Sequence, residues 1–175
     1  MTDVKEAGTA SRASEKGRTK PSTPAVAKPG ASVPTKAGDT VIVNVFAKDP
    51  TGVVEFSHEW RFHGGNNKGG GKIEIPKAKK GDPGHPIHFY FFDETMPKRN
   101  LSFVLDPKNV IWVSRTGCPM ECAEDSEITD IVPAKKLLKV YDNNEVECEL
   151  HYNLRFEPDP DEYSYDPEIK NGGKV

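Results

Sequence analysis

The chain has 175 residues, 35% hydrophobic and 29% charged, which is enough for one domain with its own core and too little for two domains beside a loose terminal segment. Its longest apolar runs, Val41 to Ala47 and Ile87 to Phe92, have the length of strands, so no spanning helix or membrane partner is expected. The formal net charge of −3 is unevenly spread: Met1 to Gly38 holds seven Lys/Arg against three Asp/Glu, so the remainder sums to −7, and an acidic domain argues against nucleic acid as a partner.

Residues 1–38 are built from Ala, Pro, Ser, Thr, Gly and Lys without an aromatic residue or an apolar period, the composition of a disordered tail. Pro21, Pro24, Pro29 and Pro34 bias its second half toward an extended spacer. No export signal is predicted there, since no apolar run occurs. Cys118, Cys122 and Cys148 are too few and too odd for a disulfide framework. Both points predict a cytoplasmic protein.

From Asp39 the texture changes to short β-branched and aromatic runs punctuated by Gly, Pro, Asp and Asn. Strands are predicted near Thr40–Ala47, Val53–Phe62, Lys72–Ile75, Pro86–Asp93, Leu101–Leu105, Val110–Val113, Lys136–Tyr141 and Val146–Phe156. In the second, Val54, Phe56, His58, Trp60 and Phe62 share the buried parity. Pro86–Asp93 is apolar on both parities and reads as a central strand. Leu101–Leu105 and Val110–Val113 are predicted to form a hairpin through Asp106 to Asn109, with Trp112 as a core anchor. In Val146–Phe156 one parity places Val146, Cys148, Leu150, Tyr152, Leu154 and Phe156 inside, and leaves Glu147, Glu149, His151, Asn153 and Arg155 to solvent. A hairpin through Asp142-Asn143-Asn144 is expected to join this strand to Lys136–Tyr141. Without convincing helices between the strands, the fold class is an all-β, antiparallel β-sandwich over residues 39–175, immunoglobulin-like or cupredoxin-like.

Two long connections, 63–72 and 114–135, are where a binding surface is expected. The second carries Cys118-Pro119-Met120-Glu121-Cys122, whose Cys118, Met120 and Cys122 are soft ligands suited to copper or zinc, with His85 and His88 as further donors. The blue-copper order of Cys, then His, then Met within a few residues is missing; the bland alternative is a loop with two ordinary thiols. A redox role is weaker, because the spacing is not Cys-x-x-Cys and no βαβ unit surrounds it. The glycines of 63–71 precede a strand rather than a helix, which fits a hairpin loop better than a phosphate cradle. Acidic clusters at 121–130 and 157–168 lack the spacing of a calcium loop and read as solvated charge. Adjacent Ser57 and His58 point to opposite faces of a strand and cannot pair, and no other nucleophile stands in a catalytic frame.

The run Leu137 to Asn144, then Leu150 to Phe156, then Tyr165 to Gly173, with Glu157-Pro158, Asp159-Pro160 and Asp166-Pro167, resembles the ends of small bacterial proteins of the DP-EP family. The resemblance covers the last third of the chain and implies a bacterial all-β protein, with no activity or site residues to transfer. The piece from Asp166 to Gly173 is expected to cap the sandwich or cover an edge strand. The resulting expectation is a non-catalytic binding module without a cofactor, whose loops meet a protein or small-molecule ligand; the alternative is a copper- or zinc-binding sandwich.

Overall fold

The computed structural model describes residues 38–62 and 72–175; the expected disordered tail up to Ala37 and the glycine-rich segment 63–71 lie outside the described residues. Eleven strands make up their regular structure: β1 (Val41–Lys48), β2 (Glu55–Phe62), β3 (Ile73–Ile75), β4 (His85–Asp93), β5 (Ser102–Phe103), β6 (Ile111–Ser114), β7 (Ile128–Ala134), β8 (Leu137–Asp142), β9 (Glu147–Glu157), β10 (Ser164–Tyr165) and β11 (Glu168–Gly172). None of the described residues forms a helix long and apolar enough to cross a membrane.

One sheet has the order β2-β1-β4-β8-β7. The other is organised on the long strand β9, with β11 and β10 along one edge, β6 and β5 along the opposite edge, and β3 outside β11. Period-two alternation buries Val41, Val43, Val45 and Ala47 of β1 and Ile87, Phe89 and Phe91 of β4 on one face. They meet Leu150, Tyr152, Leu154 and Phe156 of β9, which are fully buried. Ring contacts of Phe91 with Phe156 at 4.5 Å and Phe89 with Tyr152 at 6.3 Å join the sheets face to face. The all-β, two-sheet expectation is met, and β4 is central as predicted.

Several expectations are corrected. The sheets are mixed rather than antiparallel, since β1 pairs with β4 and β3 with β11 in parallel. No helix is needed for the first crossover, because the chain travels from β1 to β4 by way of β3 in the opposite sheet. The hairpin between β8 and β9 is absent: β8 pairs with β4 and β7, and β9 lies in the other sheet. The Asp-Asn-Asn turn is instead drawn into the seam, where Asn144 Nδ2 donates to Pro76 O at 3.0 Å and Asn171 Nδ2 donates to Asp142 Oδ1 at 2.9 Å. Gly84 admits this approach, as a Cβ there would lie 2.1 Å from Asp142 O.

Strands β5 and β6 likewise form no hairpin, for both pair with β9, at Phe103↔Phe156 and Ile111↔Leu154. Between them a turn on Asp106, whose carbonyl accepts from Asn109 and Val110 and whose side chain accepts from Lys108 and Asn109, throws the chain out of the ladder and returns it to the same edge. Trp112 therefore faces outward, half-buried under the Arg155 guanidinium at 3.9 Å. Asn153 and Arg155, expected in solvent, are buried because loops cover the outer face of β9: Asn153 Nδ2 donates to Pro119 O at 3.2 Å, and Arg155 binds Asp161 and Pro160 O. Cys148 is only half-buried, against the core's edge, and Val146 is exposed. Part of the 114–135 connection is strand β7, and the expected cap from Asp166 to Gly173 is β11, a paired member of the sheet between β9 and β3.

Candidate functional site

β6 is held by β9 along one side, and β7 is the outermost strand of the opposite sheet. Between these two edges the sandwich opens into a cleft of about 540 Å³. Ile111 and Val113 of β6 and Ile128 and Ile131 of β7 supply its apolar floor, while Lys108, Glu124, Ser126, Thr129 and Asp130 stand at its mouth. In an antiparallel ladder backbone groups point alternately toward and away from the partner strand. Val110 O accepts from Arg155 N on the β9 side, so the amide and carbonyl of Ile111 turn the other way, away from β9. Val113, two residues on, uses the same side to donate to Ala123 O at 2.9 Å.

The loop closing one end of the cleft is tightly bonded. Arg115 grips Asp125 with two parallel bonds, Nε to Oδ2 at 2.6 Å and an Nη to Oδ1 at 2.8 Å, and its guanidinium lies 3.8 Å from buried Glu127. These bonds hold the Asp125 carboxyl below the usual carboxylate range and raise Arg115, whose charge is permanent in any case. Glu127 Oε2 accepts from Glu145 N at 2.7 Å, and Asn143 donates to Ser126 O and Glu127 O. The loop is thereby tied to the turn between the sheets. On β7 the pairing slips between Thr129 and Val132, with Asp130 at φ 51°, and the bulge bends the edge around the cleft mouth.

The predicted site residues are dispersed. Cys118 and Cys122 lie on the loop after β6 and are exposed, and Met120 between them is 82% exposed. Although Cys118 is exposed as a residue, its sulfur sits near Asp166 and Asn153. Loss of hydration and then the Asp166 carboxylate push its pKa to about 11, which keeps it a thiol at neutral pH. Cys122 Sγ donates to Lys108 O at 3.4 Å. His85 is fully buried in the five-stranded sheet with Nδ1 donating to Asp39 O at 2.9 Å. His88, on that sheet's outer face beside Tyr90 and lowered in pKa by burial and then by Lys139, is the more accessible of the two. Among the described residues, Cys118, Cys122, His85 and His88 fall into no group of three His, Cys, Asp or Glu donors within ligand distance.

The cleft itself combines a stretch flagged by its length with residues that were not singled out. Ile128 and Ile131 are too isolated among acidic neighbours to signal a strand, and only the Ile-Val pair at 131–132 hinted at one. No protein-family model and no curated protein matches the chain.

Proposed function

We propose that the protein is a non-catalytic, cytoplasmic β-sandwich module that receives an extended peptide segment of a partner protein in the cleft between β6 and β7. The observation that carries this reading is an apolar cleft of about 540 Å³ framed by two sheet edges, a size within the range of small-ligand sites. An incoming strand adds main-chain hydrogen bonds along an edge and seats alternate side chains in pockets. Ile111 offers such a segment the backbone groups it turns away from β9, and Ile128 and Ile131 provide the apolar contacts. Glu124 and Asp130 outnumber Lys108 at the mouth, which favours Lys or Arg flanking the apolar positions of the guest.

The test is selection from a phage-displayed library of random linear peptides against the tag-free protein. Enriched peptides are expected to alternate apolar residues beside Lys or Arg, and to lose binding to Ile131→Glu and to a Glu124→Lys/Asp130→Lys double variant. No enrichment over an unrelated β-sandwich, or peptides that bind both variants as well as the original, would reject the reading.

A further inference from the structure

Away from the cleft, on the outer face of the β9 sheet, a second arrangement has the chemistry of a cation site. Glu149 and His151 occupy one face of β9 by period two, and the register His151↔Glu168 sets Glu168 of β11 beside them. Glu149 Oε1 lies 3.9 Å from His151 Nε2, Glu168 Oε1 lies 3.6 Å from His151 Nδ1, and one donor atom from each residue falls within 4.8 Å of the others. The imidazole is mostly covered, with 18% of its side chain exposed, whereas the glutamates are about half-exposed.

A cation already sits at this spot. Lys72 reaches in with its ammonium 2.6 Å from Glu149 Oε1 and 3.1 Å from Glu168 Oε2, so the backbone brings the two carboxylates together around positive charge. Both glutamates touch this lysine, and their combined charge of −2 exceeds what it supplies. A divalent ion in its place would balance the carboxylates fully, with His151 neutral. Ligand bonds of about 2.1 Å set tetrahedral donors about 3.4 Å apart, so a donor set that now spans up to 4.8 Å closes on an ion by rotation of the two long glutamate side chains over about 1 Å. A groove lined by His58, Tyr165, Asp166 and Pro167 opens beside Lys72 and Glu168, giving an ion a path in and the flexible lysine a place to withdraw.

We propose that Glu149, His151 and Glu168 bind a zinc-class divalent cation, and that Lys72 is a built-in competitor occupying the site in the metal-free protein. One imidazole and two carboxylates suit zinc or cobalt(II). Magnesium, which keeps its waters and demands an octahedron of oxygens, is a poor match. Three protein ligands leave a fourth position to water.

The experiment is calorimetric titration of tag-free protein with Zn²⁺, alongside Lys72→Met, His151→Ala and Glu168→Gln, with cobalt(II) absorption as a second readout. The wild type is expected to take up one equivalent. Lys72→Met should bind about tenfold more tightly, equivalent to ~1.4 kcal/mol, because a competitor has gone. The two ligand variants should lose about a hundredfold or more. The cobalt complex should show d–d bands of oxygen and nitrogen ligation without a thiolate charge-transfer band. Absence of zinc binding in both the wild type and Lys72→Met would overturn the site. So would His151→Ala and Glu168→Gln binding like the wild type, or a thiolate band that moves the metal to the cysteines. Unchanged or weaker binding by Lys72→Met would overturn the role given to the lysine.

Discussion

Replacing Asp142 by Asn should stabilise the protein at neutral and alkaline pH and do little in acid. Asp142 ends β8 at the seam of the two sheets and is fully buried. Its Oδ1 accepts from Asn144 N and Asn171 Nδ2, each at 2.9 Å, but Oδ2 has no partner. Burial raises its pKa from 3.8 to about 7 against the two hydrogen bonds that favour the anion, with Glu127 and Asp125 adding repulsion. Because the folded carboxyl holds its proton more tightly than the unfolded one, stability is highest below about pH 4, declines through the interval up to about 7, and is fully reduced above it. At 1.36 kcal/mol per tenfold change in acidity, that interval corresponds to about 4 kcal/mol. An asparagine retains the Oδ1 acceptor, carries no charge, and turns its amide toward a neighbourhood where Asn171 Oδ1 lacks a donor. Urea denaturation of both proteins at about pH 4 and pH 8 measures the effect, and their difference cancels the titrating groups that do not interact with Asp142. The variant should match the wild type at the lower pH and exceed it by about 2–4 kcal/mol at the higher one. An equal difference at both values, or a variant less stable at pH 8, would refute the reasoning.

Other outcomes follow from the same geometry. Arg155→Met should destabilise by about 1–2 kcal/mol in urea denaturation, since it removes the cation over Trp112 and the bonds to Pro160 O and Asp161; Arg155→Lys should recover less than half, lacking the planar fork. A thiol reagent followed by peptide mass spectrometry should modify exposed Cys122 first, because burial raises the pKa of both Cys118 and Cys148. Rapid labelling of Cys148 would contradict its place at the core's edge. The soft-metal reading of the 118–122 loop is tested by Cys118→Ser with Cys122→Ser. Zinc binding should survive that double substitution, because Glu149, His151 and Glu168 contain no thiol; its loss would return the metal to the loop.

The local character of the chain was legible from residue order. Side chains alternate across a strand with a period of two, so the inward set of β2 could be named without any knowledge of partners. The clear alternation of β9 also put Leu150, Tyr152, Leu154 and Phe156 in the core correctly. What alternation leaves open is the state of the other face. Asn153, Arg155 and Trp112 are covered by loops that return from 119 and from 160–161, and such coverage depends on distant pieces of chain.

Partner choice was the second thing that residue order left open. Turn residues such as Asp106-Pro107 and Asp142-Asn143-Asn144 report that the chain bends, and bending serves a hairpin, an excursion on one edge or a passage between sheets equally well. Which of these occurs is decided by long-range bonds, here Arg155 N to Val110 O on one side and Asn171 to Asp142 on the other. The functional surfaces share that dependence. The 114–135 connection drew attention by its length, but the cleft exists only because β6 and β7 end opposite sheets side by side. Glu149 and His151 are two residues apart and visibly share a face, whereas Glu168 joins them through the register of β11 and Lys72 through ion pairs with both glutamates. Sequence alone determined where most of the strands form, β7, β10 and β11 excepted, because backbone sterics and side-chain alternation act over a few residues. Tertiary structure decided which edges stay open and which charges meet, because hydrogen-bond pairing between strands joins residues that the chain order keeps far apart.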